Sequence, residues 1–280
     1  MEEYLKTSYD LNSSNVVSVI DELPLWSAPF GLKLLDKINL RKNITALDIG
    51  SGLGFPLLEV AMRLGNSCKL YGIDPWEAAV QRSKTKIEIY GITKVKMISG
   101  VAEKIPLPDN SIDLIFSNNG LNNVYDLKAV VTECGRISRT GAQFVFTFNT
   151  DKTMMEFYFT LEEVLREKNM LHEISLMKKH IYKKRKPVEE FQLLLENNGF
   201  TINDILYDEF SISFTDGITM FNHFLIKLAF IGSWKEFVPE EKHGEIFGEV
   251  EKRLNKIAES NGSIKLTVPY ILMDCEKTGA

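Results

Sequence analysis

The fold class follows from one stretch of ten residues, Leu47-Asp48-Ile49-Gly50-Ser51-Gly52-Leu53-Gly54-Phe55-Pro56. An apolar strand is predicted for residues 45–49 and a helix for residues 56–64, with a proline near the first turn of the helix and Gly65 at its end. The Gly-x-Gly-x-Gly turn therefore joins a strand to a helix. Glycine tolerates positive φ and lets a ligand approach the backbone closely. In open α/β sheets, ligands bind at such turns.

Short apolar runs alternate with helical patterns on the C-terminal side of this turn. This rhythm predicts a doubly wound parallel sheet. Its first five strands are predicted at residues 45–49, 70–73, 95–99, 112–117 and 144–148. Two more strands are predicted at residues 200–214 and 264–273, and Pro269 in the last one suggests an edge position or a bulge.

The predicted organisation has three segments. Residues 1–43 form a helical N-terminal cover, and residues 44–150 form the cofactor-binding core. Residues 151–280 complete the sheet and include a helical insert at about 217–261, between the last two strands, which we expect to cover the substrate.

Composition and charge exclude several classes of protein. Apolar residues make up 44% and charged residues 25% of the chain, which excludes a disordered chain or a disulfide mini-protein. The net charge of −5 argues against a dedicated nucleic-acid binder. Three distant cysteines are predicted to be buried thiols in a reducing compartment, without the spacing of a metal site. No signal peptide or run of 18 apolar residues is found, so we predict a cytoplasmic protein with no membrane segment.

Two common phosphate-binding motifs do not fit the glycine turn. The dinucleotide motif requires Gly-x-Gly-x-x-Gly, but position 55 is Phe, and no Gly-Lys-Ser/Thr of a Walker loop is present. Asp74 lies 20 residues after Gly54, at the end of the second predicted strand. Its carboxylate can accept hydrogen bonds from both ribose hydroxyls of an adenosine, with Pro75 or Trp76 beside the adenine face. The alternative is that Asp74 caps the second helix.

Four motifs in order resemble the class I S-adenosylmethionine-dependent methyltransferases, especially the small-molecule branch with the quinone-pathway and biotin-pathway enzymes. They are Asp48-x-Gly50-x-Gly52-x-Gly54, Asp74, the stretch at residues 100–109 and the strand at residues 111–118. The resemblance covers about residues 44–148. It implies a Rossmann-like, mostly parallel seven-stranded sheet with an antiparallel last strand. It also implies S-adenosylmethionine as the cofactor and S-adenosylhomocysteine as the product.

The resemblance also implies roles for the matching positions. Asp48 would brace the turn or reach the methionine amine, Asp74 would hold the ribose, and the Asn118 backbone would face the sulfonium. The other implied cofactor residues are Gly50, Ser51, Gly52, Gly54, Pro75, Ala102 and Glu103. The family often has Asp where this chain has Val101. Either Glu103 replaces that contact with the adenine amine, or the contact is lost.

Substrate groups are expected outside these motifs. Trp26 lies between two prolines and is a candidate to cover the substrate; the alternative is that it packs the N-terminal helices together. Asn119 and Asn122 follow a strand end and can orient a polar substrate or only shape a turn. His223 is the candidate catalytic base and substrate contact, although a lone histidine in an apolar helix is often a core residue.

The leading functional interpretation is methyl transfer from S-adenosylmethionine to a small organic molecule by in-line displacement. One alternative is a cofactor-binding partner subunit without its own catalysis. Another is an RNA methyltransferase that uses the basic run at residues 178–186, which has six positive charges in nine residues and otherwise reads as a solvated helix end. The absence of a separate RNA-binding domain disfavours nucleic acid as a partner. A homodimer stays open.

Overall fold

The computed structural model describes residues 2–279. The described chain contains the seven strands β1 Thr45–Ile49, β2 Lys69–Asp74, β3 Val95–Ser99, β4 Ile112–Asn118, β5 Ser138–Asn149, β6 Phe200–Phe214 and β7 Ile264–Lys277. The helices described are α1 Ser14–Asp21, α2 Ser27–Lys37, α3 Leu57–Leu64, α4 Glu77–Ile89, α5 Leu127–Ile137, α6 Met155–Glu167, α7 Leu171–Lys184, α8 Val188–Asn197, α9 Gly217–Asn222, α10 Phe224–Ala229, α11 Ile231–Lys235 and α12 His243–Asn261.

The strands form one sheet in the order β3-β2-β1-β4-β5-β7-β6. Strands β1 to β5 pair in parallel, and β7 pairs with β5 antiparallel. This confirms the predicted mostly parallel, seven-stranded Rossmann-like sheet with an antiparallel last strand. Helices α9 to α12 lie between β6 and β7 in the chain, as predicted for the insert.

Burial explains why the first strand is central. Ala46, Leu47, Asp48 and Ile49 are all buried, because helices cover both faces of a parallel sheet. Two apolar clusters flank the sheet among the described residues, one including Phe144, Phe146 and Phe148 and the other including residues of α2 and α3. Strand β1 contributes to both clusters, which fixes its carboxyl end and the glycine turn between them.

The structure differs from the sequence predictions at two strands. Strand β5 begins at Ser138, six residues before the predicted start. Of the two alternatives for Pro269, the edge position is wrong, since β7 lies between β5 and β6, and the bulge stays a prediction. Pro269 is tolerated because the pairing of β7 with β5 begins only at Tyr270, opposite Asn149, so that no ladder bond to β5 needs an N–H at position 269.

The contacts divide the chain into two compact units. One unit, here the sheet unit, contains residues 11–149, 186–208 and 270–279. The other, here the helical unit, contains residues 2–10, 150–185 and 209–269. Within the sheet unit, α1 packs on α4, and α2 packs on β4 and β5. No helix among residues 2–279 is both long and apolar enough to cross a bilayer.

Candidate active site

The glycine turn after β1 has a backbone shape that requires glycine. Gly50, Gly52 and Gly54 have φ of 72°, 47° and 97°, in a region that residues with a Cβ rarely adopt. The amides of Gly50 and Ser51 both donate to the Ile73 carbonyl, at 2.9 and 3.2 Å. The turn is therefore fastened to the end of β2.

Gly120 is part of this turn and was missed from the sequence. A Cβ on Gly50 would lie 3.0 Å from the Gly120 Cα, and a Cβ on Gly120 would lie 2.6 Å from the Ile49 carbonyl oxygen. The loops after β1 and β4 thus touch backbone to backbone. A glycine directly after a predicted strand was the available signal, but it also fits an ordinary turn.

Gly52 marks the open side of the turn. A Cβ at this position would meet nothing within 4 Å, in contrast to Gly50 and Gly54. The Gly52 carbonyl accepts a hydrogen bond from the Ser83 hydroxyl at 2.9 Å, which anchors the turn to α4. The contact of Ser83 could not be predicted from local sequence, because it joins residues 31 positions apart. The space over Gly52 fits a ligand that approaches the backbone.

Asp74 connects the turn to the second strand. Its Oδ2 accepts from the Gly52 amide and its Oδ1 from the Trp76 amide, both at 2.8 Å. Helix α4 begins at Glu77 with Trp76 as its N-cap, so Asp74 does not cap this helix. Burial raises the pKa of the Asp74 carboxyl, and the two amides oppose this shift. Each oxygen keeps further lone pairs, which leaves capacity for two hydroxyl donors.

Asp48 is the least satisfied group of the site. Its side chain is fully buried, and neither carboxylate oxygen has a hydrogen-bond partner within residues 2–279. Burial raises its pKa well above the ordinary value and the negative charge of Asp74 raises it further, while the Leu57 amide lies near enough to oppose the shift without the geometry of a hydrogen bond. A buried carboxylate without a partner is costly. The site therefore fits a ligand that brings a positive charge or N–H donors.

The loop after β3 joins Asp74 to the loop after β4. The Gly100 amide donates to the Asp74 carbonyl at 3.0 Å, and Ala102 is buried. The Glu103 Oε1 accepts from the amides of Tyr125 and Asp126, at 2.7 and 3.1 Å. This oxygen thus holds the start of α5. A contact of Glu103 with the adenine amine, in place of the Asp that the family often has at position 101, stays a prediction. It would use Oε2, the second carboxylate oxygen of Glu103.

The asparagines after β4 use their side chains within the fold. Asn118 Nδ2 donates to the Ser27 carbonyl at 2.9 Å, and Asn119 Oδ1 accepts from the Asn149 amide at 3.0 Å. Asn122 Nδ2 donates to the Asn149 carbonyl at 3.1 Å. These bonds tie the carboxyl ends of β4 and β5 together and agree with the turn interpretation. The substrate roles of Asn119 and Asn122 stay predictions.

Helix α2 packs directly on this part of the sheet unit. Trp26 immediately precedes it, and its ring meets Phe30 edge to face at 5.5 Å. A Cβ on Gly31 would lie only 2.2 Å from the Phe55 ring and 3.2 Å from Asn118 Nδ2. The missing side chain of Gly31 thus lets the helix approach the residue that follows the glycine turn. This contact was not predicted.

His223 belongs to the helical unit, whereas the residues above belong to the sheet unit. It lies between α9 and α10, with its ring edge to face with Phe214 at 5.3 Å. Its Nδ1 is buried and has no hydrogen-bond partner in the described chain, and burial lowers its pKa. These features suit a neutral imidazole that can accept a proton. The catalytic role of His223 stays a prediction.

The strand order identifies the general class of protein. The order reverses between β1 and β4, and the loops after these two strands carry the glycine turn and Gly120. Doubly wound sheets bind ligands in the crevice at such a switch point. Together with the carboxylate after β2, this defines a Rossmann-like fold for a nucleotide-containing cofactor.

The chain belongs to the methyltransferase domain family, whose model matches residues 40–199. It is 31% identical over 124 residues to a demethylmenaquinone methyltransferase of Geobacillus stearothermophilus, which is 44% of this chain and 53% of that protein. A second such protein, from Geobacillus kaustophilus, is 30% identical over 124 residues, again 44% of this chain and 53% of that protein. The chain thus spans about half the length of the curated relatives it matches.

Solved structures share the fold at low sequence identity. The YcgJ protein of Bacillus subtilis has a TM-score of 0.59 and 18% identity, over 90% of this chain and 99% of that chain. A geranyl diphosphate C-methyltransferase of Streptomyces coelicolor, crystallised with S-adenosylhomocysteine, has a TM-score of 0.53 and 14% identity, over 89% and 77% of the two chains. The predicted family and its cofactor class, S-adenosylmethionine, are confirmed.

Proposed function

We propose that the protein transfers a methyl group from S-adenosylmethionine to a small organic molecule by in-line displacement. The observation that carries this proposal is Asp48, a buried carboxylate without a hydrogen-bond partner, two residues before a glycine turn whose Gly52 amide donates to Asp74. When bound, the cofactor supplies a methyl group on a positively charged sulfur, which an acceptor atom displaces.

The residues of the sheet unit are assigned to cofactor binding. Asp48 faces the positively charged end or amine of the cofactor, and Asp74 accepts from the ribose hydroxyls with its remaining lone pairs. The open backbone at Gly52 allows close approach. Further cofactor contacts are assigned to Gly50, Ser51, Gly54, Pro75, Ala102, Glu103 and Asn118. This assignment is supported by their places at the carboxyl ends of β1 to β4, in the loops that follow or, for Asn118, at the last position of the strand.

The chain's contribution to the reaction is alignment and exclusion of water, because methyl displacement needs the acceptor in line with the donor. Trp26, at the start of α2, is proposed to cover the acceptor, with Asn119 and Asn122 orienting it. His223 is proposed to remove a proton where the acceptor needs it, which its lowered pKa supports. The names of the curated relatives support an aromatic, quinone-like acceptor.

Calorimetric titration with S-adenosylmethionine and S-adenosylhomocysteine tests the cofactor assignment. D74A is expected to weaken binding of both by about 10- to 100-fold, because hydrogen bonds to a charged group contribute about 1.5 to 3 kcal/mol. D36A removes an exposed carboxylate from α2 and is the matched control, with affinity expected to stay unchanged. Wild-type protein that binds neither compound, or D74A that binds both as tightly as wild type, would contradict the proposal.

A further inference from the structure

Arg185 is a buried arginine directly after α7, within the basic run at residues 178–186. Its exposed fraction is 7%, although arginine is almost never fully buried unless it is paired. Burying a charge costs several kcal/mol unless an opposite charge or several hydrogen bonds compensate. The partners of its guanidinium group therefore determine what Arg185 can do.

The helical unit provides few partners for this guanidinium. Its central carbon lies 5.7 Å from the centre of the Tyr158 ring, and Nη1 donates to the Thr153 carbonyl at 3.5 Å, longer than an ordinary hydrogen bond. Across residues 2–279, none of the Arg185 nitrogens forms an ion pair with a carboxylate. A guanidinium has five N–H donors in its plane, and the ring contact uses one face rather than these donors.

The neighbourhood of Arg185 is electropositive. Lys179 and Lys183 are exposed members of the same run. The pKa of His180 is lowered, first by burial and then by the positive charges of Lys184, Arg185 and Lys183, while Glu236 opposes the shift. The charge of Arg185 therefore adds to those of Lys183 and Lys184, while the carboxylates of the helical unit pair elsewhere in the run, Glu162 with Lys178 and Glu236 with His180.

We propose that Arg185 is the anchor of a binding site for an anionic oxygen of a small molecule. The planar fork of N–H donors matches the two oxygens of a carboxylate or a phosphate, which a lysine ammonium cannot do in the same way. Tyr158 supports the guanidinium from its ring face, and the lysines of the run attract the anion over longer distances. This site does not depend on methyl transfer.

Titration of the full chain with benzoate, benzamide and inorganic phosphate tests this proposal. Benzoate and benzamide have nearly the same shape and differ in charge, while benzoate and phosphate separate the two anion classes. We expect wild type to bind at least one of the two anions saturably and not to bind benzamide.

R185Q is expected to weaken anion binding by about tenfold or more, because it removes charge-assisted hydrogen bonds. K183Q changes an exposed lysine of the same run and is expected to stay within about twofold, since exposed charges are screened.

Three outcomes would overturn the proposal. The first is wild-type protein that binds neither benzoate nor phosphate. The second is equal weakening by R185Q and K183Q, which would indicate general attraction by the basic run. The third is binding of a short RNA without binding of either small anion. If R185Q does not fold, R185K tests the fork geometry, and unchanged anion affinity would then overturn the proposal. Titration of R185Q with S-adenosylhomocysteine separates this result from a failure of the methyltransferase proposal.

Discussion

At the residue scale, Asp48 combines a structural cost with a proposed binding role. It is enclosed beneath the glycine turn without a hydrogen-bond partner, and its pKa is raised by burial and by Asp74. Perturbed carboxylates cluster at functional sites, and here the perturbation has a plain geometric cause. The buried charge of Asp48 therefore lowers the stability of the folded chain, and a positively charged ligand beside it would offset that cost.

Replacing Asp48 by Asn should change how stability depends on pH. A carboxyl whose pKa is raised on folding holds its proton more tightly in the folded protein, so the free energy of unfolding falls as pH rises from about 3.8 through the folded pKa. D48N is expected to be more stable than wild type at pH 7.5, where the buried carboxylate is costly, and equal to it below pH 3.8. Urea unfolding across this pH range measures the difference.

The matched control for D48N is D36N, in which an exposed carboxyl of α2 is changed. D36N should follow the wild-type pH dependence. A D48N variant that is less stable than wild type at pH 7.5 would show that the buried carboxylate has a compensating partner. The same variant is expected to lose affinity for S-adenosylhomocysteine, which would separate stability from binding.

Site residues that belong to a local sequence pattern could be predicted from the sequence. The glycine turn and Asp74 could be predicted because glycine spacing and a carboxylate after a strand are local patterns. Gly120, Ser83 and the Glu103 contact could not, because their partners are 22 to 71 residues away in the chain. Such contacts depend on which strands become neighbours.

At the element scale, α2 packs closely against Phe55, directly after the glycine turn, because Gly31 has no side chain. The helix presents its backbone to the Phe55 ring, and Asn118 donates to the Ser27 carbonyl at the start of the helix. One helix of the N-terminal cover predicted from residues 1–43 therefore packs against the residue that follows the glycine turn. Its position and that of residue 55 should change together.

Replacing Gly31 by Ala should destabilise the protein although alanine favours helices. The added Cβ would lie 2.2 Å from the Phe55 ring, so the ring or the helix must move. Overpacking of this kind costs about 1 to 3 kcal/mol. Thermal and urea unfolding of G31A measure this cost, and titration with S-adenosylhomocysteine shows whether the turn has shifted.

G248A is the matched control for G31A, because Gly248 also lies within a helix, α12, but a Cβ there would meet nothing within 4 Å. G248A is expected to raise the free energy of unfolding by up to about 1 kcal/mol through helix propensity. The double variant G31A/F55L should recover part of the loss. Equal stabilisation by G31A and G248A would contradict the packing argument.

The elements themselves were largely predictable from apolar periodicity, because buried parallel strands and amphipathic helices leave clear patterns. The early start of β5 was missed because residues 138–143, Ser-Arg-Thr-Gly-Ala-Gln, lack the apolar pattern of a buried strand. The inner position of β7 was missed because of Pro269. A proline, which has no backbone N–H, indicates an edge strand only where the neighbouring strand would have to accept a hydrogen bond from that position. Both errors concern pairing between strands, which local sequence does not encode.

At the scale of the whole molecule, the two units differ from the three predicted segments. Residues 2–10 group with residues 150–185 and 209–269, whereas the sequence assigned them to one N-terminal cover. Lys235 donates to the Leu5 carbonyl at 2.8 Å, and Tyr4 stacks on Phe221 at 4.8 Å. These contacts join residues more than 200 positions apart, so composition and periodicity could not predict them.

The three cysteines provide a measure of opening in the sheet unit, to which all of them belong. Cys68, Cys134 and Cys275 are buried, and burial raises the thiol pKa of Cys134 and Cys275. We expect the native protein at pH 8 to react with a disulfide reagent about a thousandfold or more slowly than the urea-unfolded chain, since the folded state is stable by at least about 5 kcal/mol. Absorbance of the released thiolate measures the rate.

Glutathione in the same buffer is the control for the reagent, because its thiol is exposed under both conditions. The rate at which glutathione reacts should be the same with and without urea. Mass spectrometry of the partly labelled chain identifies which thiol reacts first. A native thiol that reacts as fast as the unfolded chain would contradict the burial of that cysteine.

The chain passes between the two units five times, at residues 10, 149, 185, 208 and 269. Neither unit is therefore a contiguous cassette that a single cut would release or that recombination would exchange whole. Engineering the helical unit for another ligand requires coordinated changes in three separate segments. Exchange of the stretch at 209–269 alone would leave residues 2–10 and 150–185 with foreign contacts. Proteins of this architecture should therefore diversify more readily by single substitutions than by recombination of whole segments.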